Sequence, residues 1–277
     1  MTKILISPEK LHHQYGQKAI TVLRALMADP LTGVGDIADK QRLPGTINVD
    51  IDIEASHHED PNPHTMLSPE SMGLLLAQKG VSNQADVVIY DNRGMFCAPR
   101  LWWMMKSVGH EQVRLLDGGW PAWHAMSPVS HCAEDTLTRN ATYQIQNYHH
   151  AWFVGASEVL DMLGGETQII DARSAPRFNA EVDEPRPGLR RGHIPGSVNI
   201  PFQRLLDNGQ FKTQELLQDI FKQAGVDLRK PIVCSCGSGV TACIVGVAAL
   251  LCGANNVKVY DGSWAEWGGK PHLPVEE

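Results

Sequence analysis

The chain lacks the features that would tie it to a membrane or to nucleic acid. Among its 277 residues the longest mostly apolar stretch runs only from Val240 to Cys252, short of the about 20 residues that a bilayer-spanning helix needs. Near the start only Ile4, Leu5 and Ile6 are consecutively apolar, less than the apolar core of about 7–15 residues in a secretory signal, and the expected location is the cytoplasm. Positive charge is not in excess either: 24 Lys and Arg stand against 31 Asp and Glu, a net charge of −7. A nucleic-acid binder would show a concentrated basic face, so neither nucleic acid nor membrane is expected as a partner. The six cysteines, Cys97, Cys132, Cys234, Cys236, Cys243 and Cys252, include no CxxC pair. A zinc-type site is therefore not expected, and no metal or organic cofactor is implied. In a reducing compartment the cysteines should be free thiols. Disorder is excluded by an apolar content of 43%.

What the chain does have is a repeat. Val87-Val88-Ile89-Tyr90-Asp91 is answered by Ile232-Val233-Cys234-Ser235-Cys236, and Asp117-Gly118-Gly119-Trp120-Pro121-Ala122-Trp123 by Asp261-Gly262-Ser263-Trp264-Ala265-Glu266-Trp267. Pro44-Gly45-Thr46-Ile47-Asn48-Val49 is answered by Pro195-Gly196-Ser197-Val198-Asn199-Ile200. Three blocks in the same order, roughly 145–150 residues apart, are far too widely spaced for a solenoid unit and indicate a duplicated domain. Strand-length apolar runs such as Ile169-Ile170 and Ile232-Val233 alternate with helix signals. Ser7-Pro8-Glu9 and Ser68-Pro69-Glu70 each supply an N-cap serine and a proline at the first helical position. The expected fold is α/β, with two tandem domains that are each a mostly parallel sheet flanked by helices. The expected boundaries are 1–125, a linker over 126–150 around Ser127-Pro128 and Glu134 to Asn140, and 151–277. The paired tryptophans are read as core or domain interface.

The chemistry points to Cys236-Gly237-Ser238-Gly239-Val240-Thr241, which follows a strand and opens a helix. Two glycines let the backbone curl so that N–H groups converge, and the helix N-terminus adds partial positive charge. A cysteine at the mouth of such a cradle should have a lowered pKa, and the cradle would stabilise charge on a second sulfur attached to it. A Cys-based phosphatase would need Cys-x5-Arg to clamp phosphate oxygens; position 242 is Ala. Sulfur transfer needs only the cradle. Cys234 lies back on the strand, and Cys243 and Cys252 read as small buried apolar residues.

This loop resembles that of the 3-mercaptopyruvate sulfurtransferases, within the two-domain rhodanese family. The stretches Asp171-Ala172-Arg173, Arg177-Phe178-Asn179, Glu184-Pro185-Arg186 and Gly192-His193-Ile194-Pro195-Gly196 resemble the family too. The resemblance implies two rhodanese-like domains with an active site between them and a Cys236 persulfide intermediate. The expected activity is transfer of sulfur from 3-mercaptopyruvate to a thiophilic acceptor, with release of pyruvate. Cyanide, a small thiol or a thioredoxin-like protein would be the acceptor. Thiosulfate-preferring relatives carry basic residues in the loop, and this loop is neutral. The rival readings are a thiosulfate:cyanide sulfurtransferase and a non-catalytic persulfide carrier.

Arg177 and Arg186 suit a carboxylate and a keto oxygen through their forked donors, and the resemblance places substrate-binding arginines at these positions. Gly237, Gly239, Val240 and Thr241 supply the rest of the expected substrate-binding loop. The alternative for the arginines is a surface pair with Glu181, Asp183 or Glu184. Arg190 and Arg191 are expected to be a solvated pair or a rim, Arg173 to form a salt bridge with Asp171, and His193 to shape a turn. The resemblance also implies a proton relay of Ser238, His64 and Asp52, the last two from the first domain. That domain is expected to be non-catalytic: Asp91 stands where Cys236 stands, Arg24 where Asp171 stands, and Arg42 where His193 stands. Cys97 is expected to pack.

Overall fold

The computed structural model describes residues 4–15, 17–29, 32–36, 42–126, 141–145, 148–149 and 152–277. The chain divides into two units. The first comprises residues 1–57, 66–149 and 208–210; the second comprises 58–65, 150–207 and 211–277. Most of the expected linker, with Ser127-Pro128, Cys132 and the Glu134–Asn140 stretch, lies outside the described residues. Ala141 and Gln144 hydrogen bond to Ala77 and Asn83, within the first unit.

In the first unit the elements are β1 (Leu5–Ile6), α1 (Pro8–Gln14), β2 (Thr21–Leu26), β3 (Thr46–Asp50), α2 (Pro69–Gln78), β4 (Val87–Asp91), α3 (Ala98–Ser107), β5 (Val113–Leu116) and α4 (Gly119–Met126). The Ser-Pro signals act as read. Ser7 and Ser68 accept the N–H groups of Lys10 and Ser71, with Pro8 and Pro69 in the first turn. The strands pair in the order β1-β5-β4-β2-β3, all in parallel.

The second unit has β6 (Phe153–Val154), α5 (Ala156–Met162), β7 (Gln168–Asp171), α6 (Ala175–Phe178), β8 (Val198–Asn199), a 3₁₀ turn (Phe202–Leu205), β9 (Leu206–Asp207), β10 (Gln210–Phe211), α7 (Gln214–Gln223), β11 (Ile232–Ser235), α8 (Ala242–Leu251), β12 (Val257–Tyr260) and α9 (Ser263–Trp267). Its sheet order is β6-β12-β11-β7-β8, again parallel. Element for element this is the order of the first sheet, so the sequence repeat is a repeat of topology.

The central strands β4 and β11 are buried along their whole length. That is why they read as unbroken apolar runs rather than alternating ones. Helix α8 is apolar on every side and almost wholly buried, as a core helix must be. Trp123 packs in the first core; Trp264 and Trp267 pack in the second, both 0% exposed. Among the described residues no helix is long and apolar enough to cross a membrane.

Candidate active site

The second unit builds its site at the C-terminal end of β11, the crevice end of an open parallel sheet. Cys236 follows the strand directly, Gly239 adopts the left-handed φ of +75° that turns the loop, and α8 starts at Ala242. The loop is gripped from behind by α9. The N–H of Trp264 donates to the Cys236 carbonyl at 2.9 Å and that of Ala265 to the Gly237 carbonyl at 2.8 Å. With these carbonyls turned toward α9, the planar trans peptides direct the N–H groups of Gly237 and Ser238 the opposite way. The Cys236 N–H itself donates to the Ser263 hydroxyl at 3.0 Å, and that hydroxyl donates to the Tyr260 carbonyl at 2.8 Å.

Ser263 was not legible as a site residue. It is fully buried and takes a left-handed φ of +48°, a conformation that favours glycine. The signal was available in the repeat, where Gly119 stands at the matching position with a φ of +54°. A side chain at Gly119 would meet the carbonyl oxygens of Gly94 and Asp91 at 2.5 and 2.6 Å. At Ser263 a hydroxyl fits and holds the Cys236 backbone.

Cys236 is 2% exposed and Ser238 6%. The Ser238 hydroxyl is 2.8 Å from His64 Nδ1. His64, expected from the first domain, falls in a segment, residues 58–65, that groups with the second unit. That segment holds its own shape: Asp60 accepts from the backbone and side chain of Asn62, and Thr65 donates to the Asn62 carbonyl. His64 is left-handed at φ +62°. Asp52 belongs to the first unit, where its carboxylate accepts the Ala28 N–H at 2.7 Å.

Arg177 comes from α6, and its guanidinium lies against the loop. A methyl group added at Gly237 would sit 3.1 Å from Arg177 Nη2. Its partner is Glu184, one of the three acids considered from the sequence, held through Nε at 3.1 Å and through Nη2. Glu184 also accepts from Arg173 Nη1 at 2.8 Å. Arg173 in turn grips Asp171 through Nε and Nη2, donates to the Gly192 carbonyl and lies 4.4 Å from the Trp264 ring. Burial works against the Arg173 charge, but Asp171 and Glu184 more than offset it and hold its pKa above the ordinary arginine value. Arg186 lies half-buried two residues beyond Glu184.

One expectation is corrected. Arg190 is neither solvated nor paired with Arg191: it donates to the carbonyls of Trp267, Gly268, Lys270 and Leu273 and so clamps the C-terminal segment. Arg191 instead forms an exposed pair with Asp183. His193 is taken up structurally. Its ring stacks on Phe178 at 3.8 Å, Nδ1 bonds the Phe178 carbonyl, and its backbone bridges Glu276. Cys234 is fully buried, and burial pushes its thiol well above the ordinary range, with Cys243 and Cys236 adding to the rise. Among the described residues no three His, Cys, Asp or Glu side chains are grouped to hold a metal ion.

The first unit carries the same loop in a different state. Gly94, with φ +101°, matches Gly239. The cradle is filled by the unit's own Asp91, which is fully buried. One oxygen of Asp91 accepts the Arg93 N–H at 2.8 Å; the other accepts those of Phe96, Cys97 and Ala98 at 2.8–2.9 Å. Burial raises the Asp91 carboxyl above its ordinary range, and these N–H groups work against the rise. Cys97 is buried, with its thiol pushed up first by burial and then by Asp91.

Comparison with known proteins identifies relatives of the whole chain. A 3-mercaptopyruvate sulfurtransferase of Escherichia coli K12 is 40% identical over 267 residues, covering 93% of this chain and 92% of the relative. The mouse 3-mercaptopyruvate sulfurtransferase is 41% identical over 234 residues, covering 83% of this chain and 77% of the relative. The crystal structure of SseA from E. coli, described as a 3-mercaptopyruvate sulfotransferase of the rhodanese fold, superposes with a TM-score of 0.83 at 35% identity, over 95% of this chain and 99% of that one. The rhodanese-like domain family matches twice, at residues 22–126 and 155–270, once in each copy of the repeat. On its fold, its duplicated sheet and these matches, the chain belongs to the rhodanese family.

Proposed function

We propose that the chain is a sulfurtransferase that takes sulfur from 3-mercaptopyruvate and passes it, by way of Cys236, to a thiophilic acceptor. The observation that carries this reading is the near-buried Cys236 in a loop whose carbonyls are turned away by α9, with the Arg177 guanidinium against Gly237.

The Cys236 thiolate attacks the donor sulfur. The carbon–sulfur bond breaks, its electron pair passes into the enolate of pyruvate, and a proton at carbon completes pyruvate. Arg177 and Arg186 hold the carboxylate and keto oxygen through their N–H donors, and Gly237, Gly239, Val240 and Thr241 frame the reacting sulfur. Cys236 keeps the sulfur as a persulfide whose charge faces the loop N–H groups. Ser238, hydrogen-bonded to His64, is the group placed to move the proton, and Asp52 is the third member of that proposed relay. An acceptor thiolate or cyanide then attacks the outer sulfur and restores the Cys236 thiolate. A small thiol or a thioredoxin-like protein suits this step as well as cyanide. The domains that divide this work are residues 1–125 and 151–277, the second catalytic.

The test is a pair of initial-rate series with 3-mercaptopyruvate and thiosulfate, each with cyanide as acceptor. The neutral loop supports a higher kcat/KM for mercaptopyruvate. A higher value for thiosulfate would overturn the donor assignment, and a single loading without turnover would make the chain a carrier.

A further inference from the structure

The sequence offered Glu184 as a surface partner for Arg177 and as part of a stretch that resembles the family. The structure gives it a different setting. Its side chain is 2% exposed, whereas that of Arg177 is 21% exposed. Its Oε1 is held by the buried Arg173, which is itself fixed by Asp171, the Gly192 carbonyl and the Trp264 ring. Charges alternate along this chain from Asp171 through Arg173 and Glu184 to Arg177, from the sheet out to the loop.

Two consequences follow. An unrestrained arginine spreads over many rotamers, and that freedom is lost when a ligand binds. Glu184 takes the Nε and Nη2 edge of Arg177 with both oxygens, which fixes the plane of the guanidinium and leaves its other N–H bonds for a ligand. The second consequence is electrostatic. A buried carboxylate beside Arg177 cancels part of the positive potential at the mouth of the loop, with little water to screen it. A monoanionic donor meets this loss once, at the carboxylate that Arg177 holds. A dianion, with both charges at the reacting end, is repelled about twice as strongly.

We propose that Glu184 is a positioning and specificity-determining residue: it fixes Arg177 against the Cys236 loop and lowers the local positive potential so that a monoanionic sulfur donor is favoured over a dianionic one. This rests on the sulfur-transfer reading above.

The experiment compares wild type, Glu184→Gln and Glu184→Asp in steady state with mercaptopyruvate and with thiosulfate, using cyanide as acceptor. Sulfur loading of each protein is followed by intact mass. Glu184→Gln keeps the shape and removes the charge. It should raise the ratio of kcat/KM for thiosulfate over mercaptopyruvate about tenfold at low salt, with the gain shrinking as salt screens it. Glu184→Asp keeps the charge but shortens the reach. It should raise KM for mercaptopyruvate with kcat retained and the donor ratio unchanged. An unchanged ratio in Glu184→Gln, with both donors slowed by one common factor, overturns the proposal. If Glu184→Gln does not fold, a fall in kcat rather than a rise in KM for Glu184→Asp overturns it. A wild-type chain that loads no sulfur from either donor overturns the underlying reading instead.

Discussion

The two loops at the ends of β4 and β11 are the same turn put to opposite uses. Each follows the central strand of a five-stranded parallel sheet, bends at a left-handed glycine and runs into a helix. In the first copy the residue at the mouth is Asp91, and its carboxylate collects the N–H groups of Arg93, Phe96, Cys97 and Ala98. In the second copy it is Cys236. The matching N–H groups belong to Ser238, Thr241, Ala242 and Cys243, the last of which donates to Val240. An aspartate brings its own anion into the cradle; a cysteine brings an atom that can acquire one. Anion binding is thus a property of the turn, and chemistry depends on which residue stands at its mouth. The buried neighbours differ in the same sense. Arg24 pairs in register with Tyr90 and bonds Asn48, where Asp171 pairs with Ser235 and bonds Arg173.

Removing the nucleophile should have the largest effect. Cys236→Ser should abolish turnover while the fold persists, because a hydroxyl is far less ionised and forms no persulfide; Cys234→Ser should be nearly silent. Loss of activity in both would replace the persulfide reading with a dithiol pair, and assays of the two variants side by side decide it. Next in size is the proton route. Ser238→Ala or His64→Ala should lower kcat about 100-fold, the lower end for a positioned acid–base group, and the double variant should be little worse than either single one. Additive losses would show that the two residues act separately.

Asp91→Asn tests the other half of the comparison. One accepting oxygen becomes a donor facing donors, so buried N–H groups lose their partner at about 1–3 kcal/mol. Thermal unfolding should shift down by several degrees, while sulfur loading of Cys236, read by intact mass, should be unchanged. Unchanged stability would mean that the first cradle does not need its anion. The smallest effect lies in the turn before each central strand. The second copy has an exposed Asp227–Arg229 pair where the first has Ser82 and Gln84. Hydrogen bonds from Arg229 lower the Asp227 carboxyl from 3.8 to about 2. A depressed folded pKa stabilises above the unfolded value, and that stability is lost as pH falls through about 2. Arg229→Gln should therefore lower stability slightly at neutral pH and flatten its fall between about pH 4 and pH 2, the two proteins converging below that window. Superimposable acid titrations of the two proteins would contradict this.

The parts of the molecule legible in the sequence are those written in local pattern. Buried parallel strands leave apolar runs, capped helices leave Ser-Pro, and a duplicated chain leaves matched blocks. Cys236, Gly237 and Gly239 were visible because one short segment holds nucleophile, turn and helix start. The rest depends on residues that meet only in the folded chain. Glu184 gains its role from Arg173 beneath it, Arg190 from carbonyls of the C-terminal segment, and Ser263 from the Cys236 N–H. His64 lies close to the first copy in sequence, yet its segment is organised with the second.

The fixed carboxylate of Asp91 also has a consequence for heat resistance. The first copy keeps the same side chain in its cradle at all times, so its stability is the same throughout the reaction. The second copy gains an anionic sulfur in one half of the cycle and surrenders it in the other. The sulfur stays covalently bound on unfolding, but its charge meets the loop N–H groups only in the folded form, so the persulfide form should melt at a higher temperature than the sulfur-free form. A protein starved of donor would then be the more easily cleared by proteolysis, and the supply of sulfur would help to set how long each molecule lasts.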